Sequence, residues 1–213
     1  FNDRARKNKE KQYRPRMVLT LGNHENRINR AIENDPKLEG VLSTDDLNYR
    51  SFGWDVIPFL DVVVIDGVAY SHYFTSGLMG RPVTTASACL AKKHMSCIQG
   101  HQQGLQIATG YKADGGLLTS IIAGSCYEHS EDYMGPQGNN HWRGFLMLHD
   151  VHDGEFDITR KLSVTFKDGT HTDLSTLIFE GGSMGVLEGG EISIVSGLTI
   201  NVADGYGYLE SLI

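Results

Sequence analysis

Met17-Val18-Leu19-Thr20-Leu21-Gly22-Asn23-His24-Glu25 is an apolar run stopped by glycine and followed at once by an amide, an imidazole and a carboxylate. A short apolar run that halts at Gly predicts a buried strand entering a loop. Asn can offer a carbonyl oxygen to a hard or borderline metal ion, and His can ligate a metal or move a proton. Asn and Gly are also ordinary turn residues, and His24 could instead cap a following helix.

Two further runs repeat the arrangement. Asp61-Val62-Val63-Val64-Ile65 leads through a glycine turn into Val68-Ala69-Tyr70-Ser71-His72, and Met95-Ser96-Cys97-Ile98-Gln99 ends at Gly100-His101. Three strand-like runs thus deliver metal-capable side chains at or near their C-terminal ends, where open α/β sheets place ligands. Between them, Asn26 to Asn34 reads as a helix with Ile28, Ala31 and Ile32 on one face, stopped by Asp35-Pro36. Ser43 or Thr44 can cap a turn through Tyr49, and Trp54 to Phe59 reads as a strand interrupted by Pro58. Thr84 or Thr85 can cap a helix to about His94. Strands are expected at Leu105 to Thr109, Leu117 to Ala123, Phe145 to His149 and Phe156 to Thr159. Helices early and strands late predict a layered α/β protein with a mixed sheet or two packed sheets.

Gly22-Asn23-His24-Glu25, His72 and Gly100-His101, each behind a strand and in this order, resemble the signature of the calcineurin-like metallophosphoesterases. The likeness covers roughly residues 14 to 161. Gly124-Ser125-Cys126-Tyr127 and Trp142-Arg143-Gly144-Phe145 look most like phage-encoded members. The resemblance implies two packed mixed β-sheets flanked by helices, and hydrolysis of phosphate mono- or diesters. It implies two divalent ions (Mn²⁺, Fe or Zn²⁺) about 3.5–4 Å apart that activate a water for in-line attack on phosphorus. Asn23, His72 and His101 match ligands of one ion. His24 matches the residue that protonates the leaving group, a general acid. Glu25 is expected to orient the loop.

The family's motifs for its other ion, Asp-x-His and Gly-Asp-x-x-Asp, come before the Asn-His motif. Only sixteen residues precede Met17 here, with Asp3 their one aspartate and no His. Gln103 stands where the family usually has the second His of Gly-His-x-His, and an amide oxygen suits harder ions than imidazole does. These departures, with Phe1 as first residue, lead to the expectation of a C-terminal portion of such a domain, incomplete as a fold. They leave a second function class open, a catalytically incomplete binding or phage structural module.

Residues 1 to 16 carry seven Lys/Arg against two acids. They read as a polar helix end or linker, or as a basic arm able to touch nucleic acid. No apolar core follows them as a signal peptide requires. The whole chain of 213 residues carries a net charge of −7, which disfavours wholesale binding to nucleic acid. No apolar run approaches the ~20 residues of a bilayer span, so no membrane partner is expected. Cys89, Cys97 and Cys126 lack Cys-x-x-Cys spacing and predict reduced, partly buried thiols in a cytoplasmic protein, in the host cytoplasm if phage-encoded.

Residues 1–162 are expected to form the phosphoesterase-like domain. Residues 163–213 change composition, with one Lys, seven acids and nine glycines. Val164-Thr165-Phe166 before Lys167-Asp168-Gly169-Thr170, and the alternation in Ile192 to Ile194 and Leu198 to Val202, predict a β-rich, glycine-rich appendage. Its closing strands could leave an edge for a partner, which suggests oligomerisation. Gly181-Gly182-Ser183-Met184-Gly185 is a literal Gly-x-Ser-x-Gly. The glycine-rich residues after it cannot start the helix a nucleophile elbow needs, so a turn is expected. His149 and His152 are expected to point to different surroundings. His94, His129, His141 and His171 receive no role, and Asp66 and Asp114 are read as turn residues.

Overall fold

The structure, a computed structural model, describes residues 6–9, 11, 12, 14–126, 132–139 and 141–161, and beyond them only the strands named below. β1 (Met17–Thr20) is followed by α1 (Asn26–Asn34), three short 3₁₀ turns and β2 (Asp55–Ile57), which returns parallel to β1. β3 (Val63–Ile65) and β4 (Val68–Ser71) form a hairpin. α2 (Ala86–Lys93) then crosses to β5 (Cys97–Gln99), parallel to β4. β6 (Leu105–Tyr111) and β7 (Leu117–Ala123) form a second hairpin, with β7 parallel to β5. After the short α3 (Gly135–Asn139) come β8 (Phe145–His152) and β9 (Glu155–Lys161), a third hairpin.

Beyond residue 162, β10 (Ser163–Thr165) pairs with β11 (His171–Asp173). β12 (Gly185–Leu187), β13 (Gly190–Ile194), β14 (Leu198–Val202) and β15 (Gly207–Leu209) follow; β12 pairs with β15 and β13 with β14. The chain is therefore mixed α/β. It has a five-stranded sheet in the order β3-β4-β5-β7-β6 and a six-stranded sheet in the order β2-β1-β14-β13-β8-β9, beside two small ladders.

One apolar cluster joins the two larger sheets. Val18, Leu146, Leu148 and Phe156 from one meet Ile65, Val68, Tyr70, Ile98, Ile121 and Ala123 from the other. Side chains alternate along a strand, so Ala69 and Cys97 turn the other way, into Phe74, Val83 and Cys89. All four residues of β4 and all three of β5 are buried, as strands covered on both faces must be. Helix α2 begins where Thr85 Oγ1 accepts the Ala88 N–H and ends at His94, in left-handed conformation. Cys89 and Cys97 are free thiols 3.2 Å apart at their sulfurs, and Cys126 is also free.

At the N-terminal end of β4 the sheets lock through their turns. Asp66-Gly67 and Asp153-Gly154 are two-residue turns with positive φ at both positions, the geometry that matches strand twist. The Gly154 N–H donates to the Asp66 carbonyl at 2.9 Å. A Cβ on Gly67 would run into the backbone of Asp153 and Gly154. Asp66 is the turn residue expected, as is Asp114, whose carboxylate accepts the Gly116 N–H.

The β13–β14 hairpin lies between β1 and β8, hydrogen-bonded on both edges. β1 pairs with β2 on one side only, and β8 with β9 on one side only; an alternating hairpin supplies the ladder partners both lack. The edges of this sheet are then β2 and β9. The expected turn at Lys167–Thr170, the run Thr176 to Phe179, Ser183 and His129 lie outside the described residues. Among the described residues no helix is long and apolar enough to cross a membrane.

Candidate metal centre

The loops after β1, β4, β5 and β7 gather at the opposite end from the interlocked turns. After β1, Gly22 O accepts the Asn26 N–H at 3.0 Å and opens α1, while the Glu25 carboxylate accepts the Gly22 N–H at 2.7 Å. Glu25 therefore holds the loop, as expected. Gly22 has no space for a side chain: a Cβ there would stand 2.9 Å from Glu25 Oε2 and 2.9 Å from His72 Cε1. Its absence lets the His72 ring close onto the Asn23 loop. After β5, His101 adopts φ +65, a left-handed backbone that costs a non-glycine residue about 1 kcal/mol or more. The Gly100 N–H donates to the His72 carbonyl at 3.1 Å and ties the two histidine loops together.

Buried Gln99 braces this arrangement from below. Its Oε1 accepts the Phe74 N–H at 2.9 Å and its Nε2 donates to the Val83 carbonyl at 3.1 Å, fixing both sides of the loop that leaves His72. Gln102 Nε2 donates to the same Val83 carbonyl at 2.7 Å.

Three donor atoms converge. Asn23 Oδ1 lies 2.8 Å from His72 Nε2 and 3.2 Å from His101 Nδ1, and the two histidine nitrogens are 3.2 Å apart. No placement of protons satisfies all three edges. The amide oxygen only accepts, and each ring nitrogen carries at most one hydrogen. With both nitrogens protonated their hydrogens oppose each other; with one, two lone pairs do. A cation shared by three lone pairs removes the conflict. Neighbouring ligands about 2.1 Å from one ion stand about 3 Å apart, so the triangle fits a single divalent ion. Burial pushes the His72 imidazole down to about 4, with His101 adding to the effect. His101 is also lowered, by partial burial and then by His24. Both rings are therefore neutral near pH 7, the form that ligates.

The trio sits in a cleft of about 440 Å³ whose wall includes His24, Gln103, Gly124, Ser125 and Tyr133. His24 is exposed beside the trio, free to face a bound group. All four residues singled out from the sequence (Asn23, His24, His72 and His101) are thus in one place. Gln103 lines the cleft with them. His149 and His152 have separate partners, Thr159 Oγ1 and the Asp150 carbonyl, as expected for residues with different surroundings. Among the described residues no three His, Cys, Asp or Glu side chains cluster as a metal site; the trio here counts an amide among its donors.

Ser125 and His141 were missed by sequence reasoning. Ser125 Oγ lies 2.8 Å from His141 Nε2. The signal was present: Leu117 to Ala123 is a fourth apolar run ending in glycine and a polar residue. His141, sixteen positions later, carried no pattern of its own. Comparison of the chain with family models, curated proteins and solved structures returned no match.

Proposed function

We propose that this chain carries the centre of a metal-dependent phosphate ester hydrolase of the metallophosphoesterase type. The observation that carries the reading is the triangle of Asn23 Oδ1, His72 Nε2 and His101 Nδ1, two neutral imidazoles and an amide oxygen closing on one point in an open cleft. Two mixed sheets sharing a core, with strand ends converging on the site, agree with the layering that the family resemblance implies.

A divalent ion held there would supply Lewis-acid polarisation of a phosphoryl oxygen and a more acidic water. The chain's own residues do the rest. Asn23, His72 and His101 bind and place the ion, and their loops are fixed by Glu25, Gln99 and the Gly100–His72 hydrogen bond. His24 stands beside the trio on the exposed side of the cleft, and as imidazolium it donates its proton to the departing oxygen of the ester. Gly22 lets the His72 ring approach without displacing the Asn23 loop. Mn²⁺ or Fe²⁺ suits mixed imidazole and amide ligation, with Zn²⁺ also compatible.

The test is hydrolysis of an aryl phosphodiester and an aryl phosphomonoester by the purified chain with Mn²⁺ and with EDTA, wild type against Asn23→Ala. Mn²⁺-dependent turnover that vanishes in the variant supports the reading. Stoichiometric Mn²⁺ binding without turnover would favour the second reading, a phosphoesterase-like binding module. Gln103 in the cleft, where an imidazole would complete the first motif set, is the feature that favours that module.

A further inference from the structure

Ser125 closes the wall of the same cleft, and its hydroxyl is held by a specific partner. β7 runs parallel to β5, so Gly124-Ser125 emerges at the same end of the sheet as Gly100-His101. Gly124 (φ +75) is tightly packed: a Cβ would stand 3.1 Å from the Trp142 ring and 3.3 Å from the Gln103 carbonyl, closer than most side chains allow. The turn is thereby pressed against Gln103. Ser125 is only 4% exposed, and its carbonyl accepts the Gly144 N–H at 2.9 Å.

The chemistry of the pair follows from the other side of the ring. His141 Nδ1 lies 3.0 Å from the Gly138 carbonyl of α3. A carbonyl only accepts, so Nδ1 carries a hydrogen. In the neutral ring Nε2 then has a lone pair, and the Ser125 hydroxyl donates to it at 2.8 Å. In the charged ring Nε2–H donates to Ser125 Oγ and the hydroxyl hydrogen turns outward to the cleft. The hydroxyl thus has two orientations, selected by the ring behind it, and a hydroxyl on a cleft wall beside a cation site is suited to an anionic oxygen.

We propose that Ser125 binds a phosphoryl oxygen of the ligand in this cleft, and that His141 is the positioning residue that turns its hydroxyl toward that oxygen. The class of anion rests on the phosphoesterase reading; the Ser125–His141 geometry does not. When the oxyanion enters, the hydroxyl hydrogen moves from the imidazole nitrogen to the anion. A proton taken from solvent onto Nε2 then restores the second hydrogen bond, from Nε2–H to Oγ. No covalent bond to phosphorus forms in this exchange.

Inorganic phosphate is titrated calorimetrically into the full chain, once with Mn²⁺ and once with EDTA, for the wild type, Ser125→Ala, Ser125→Thr and His141→Leu. Ser125→Ala should weaken phosphate binding about tenfold, the loss of one charge-assisted hydrogen bond. Ser125→Thr, which keeps the hydroxyl, should stay within about twofold, and His141→Leu should fall between them. With an aryl phosphate the same factors should enter KM, with kcat changed by less than about threefold. If Ser125→Ala does not fold, Ser125→Thr and His141→Leu still decide by their contrast. Equal phosphate affinity in all four proteins, no saturable phosphate binding by the wild type, or an equal loss in Ser125→Thr and Ser125→Ala overturns the inference. Absence of Mn²⁺-dependent turnover, with the Ser125 dependence intact in EDTA, overturns the phosphoesterase reading alone. Mn²⁺-dependent turnover with phosphate binding indifferent to Ser125 overturns this inference alone.

Discussion

The two ends of the five-stranded sheet are built on opposite terms. At the N-terminal end of β4, the Asp66-Gly67 and Asp153-Gly154 turns interlock backbone to backbone, with left-handed residues of the kind such turns require. At the C-terminal end, Asn23, His72 and His101 crowd three lone-pair-bearing atoms into a triangle, and His101 holds a left-handed backbone with an imidazole attached. One end pairs its polar groups backbone to backbone. The other faces lone-pair-bearing atoms at one another. That conflict sits above a buried Gln99 whose amide is satisfied on both sides, and under the proposed function a bound ion would relieve it.

Substitutions at the two ends should separate function from stability. The largest effect is expected from His72→Ala, which removes the more buried of the two imidazoles proposed to hold the ion. Mn²⁺ binding by calorimetry should be lost and turnover should drop by at least about 10³-fold, with the melting temperature unchanged or raised. A melt that collapses together with activity would mean that His72 is a structural residue. His24→Ala should lower kcat by about 10²–10⁴-fold, the usual worth of a general acid, while Mn²⁺ affinity stays within about threefold. Unchanged kcat with a phenolate-type leaving group and with a poor alcohol leaving group alike would remove the acid role from His24.

At the other end, Gly67→Ala should destabilise the fold by about 2–4 kcal/mol in urea unfolding, because the methyl collides with the opposite turn at a positive φ. Its Mn²⁺ affinity should match that of the wild type; a matching loss of both would show that the ends are coupled.

Acid should act on the site end first. The folded value of His72 lies below the ordinary 6.5, near 4, so the unfolded chain binds more protons between those values. Stability should therefore fall as pH drops from about 6.5 to about 4, and the slope should flatten in His72→Ala. Melting temperatures across that range, wild type against variant, decide this. The smallest effect is His101→Gly, which removes left-handed strain with the ligand. It should raise stability by about 1 kcal/mol, a few degrees in melting temperature, while weakening Mn²⁺ binding. A lowered melting temperature would show that the ring's packing against Tyr73 and His72 outweighs the backbone term.

Local pattern reached most of this protein. The span Asn26–Asn34 and the strand Leu117–Ala123 could be drawn from periodicity and breakers, and a cap at Thr84 or Thr85 from its chemistry, because each depends on residues a few positions apart; the structure chooses Thr85. The residues Asn23, His24, His72 and His101 could be nominated because each follows a glycine-stopped or strand-like run. Their meeting could not. It requires β4 and β5 to lie parallel and adjacent, with β1 of the other sheet brought over them by the shared core. The place of the β13–β14 hairpin between β1 and β8 was equally hidden, since strand partners are chosen by open ladder edges, which a linear pattern does not display. His141 shows the limit most plainly. Nothing within reach of it along the chain distinguishes it from the other histidines. Its partner Ser125 comes from the end of a different strand, so only the tertiary structure could pair the two. Sequence by itself determined which side chains stand at strand ends, because periods of two and 3.6 are local. Distance between those ends is a property of packing and of long-range hydrogen bonding, and the folded chain alone decided it.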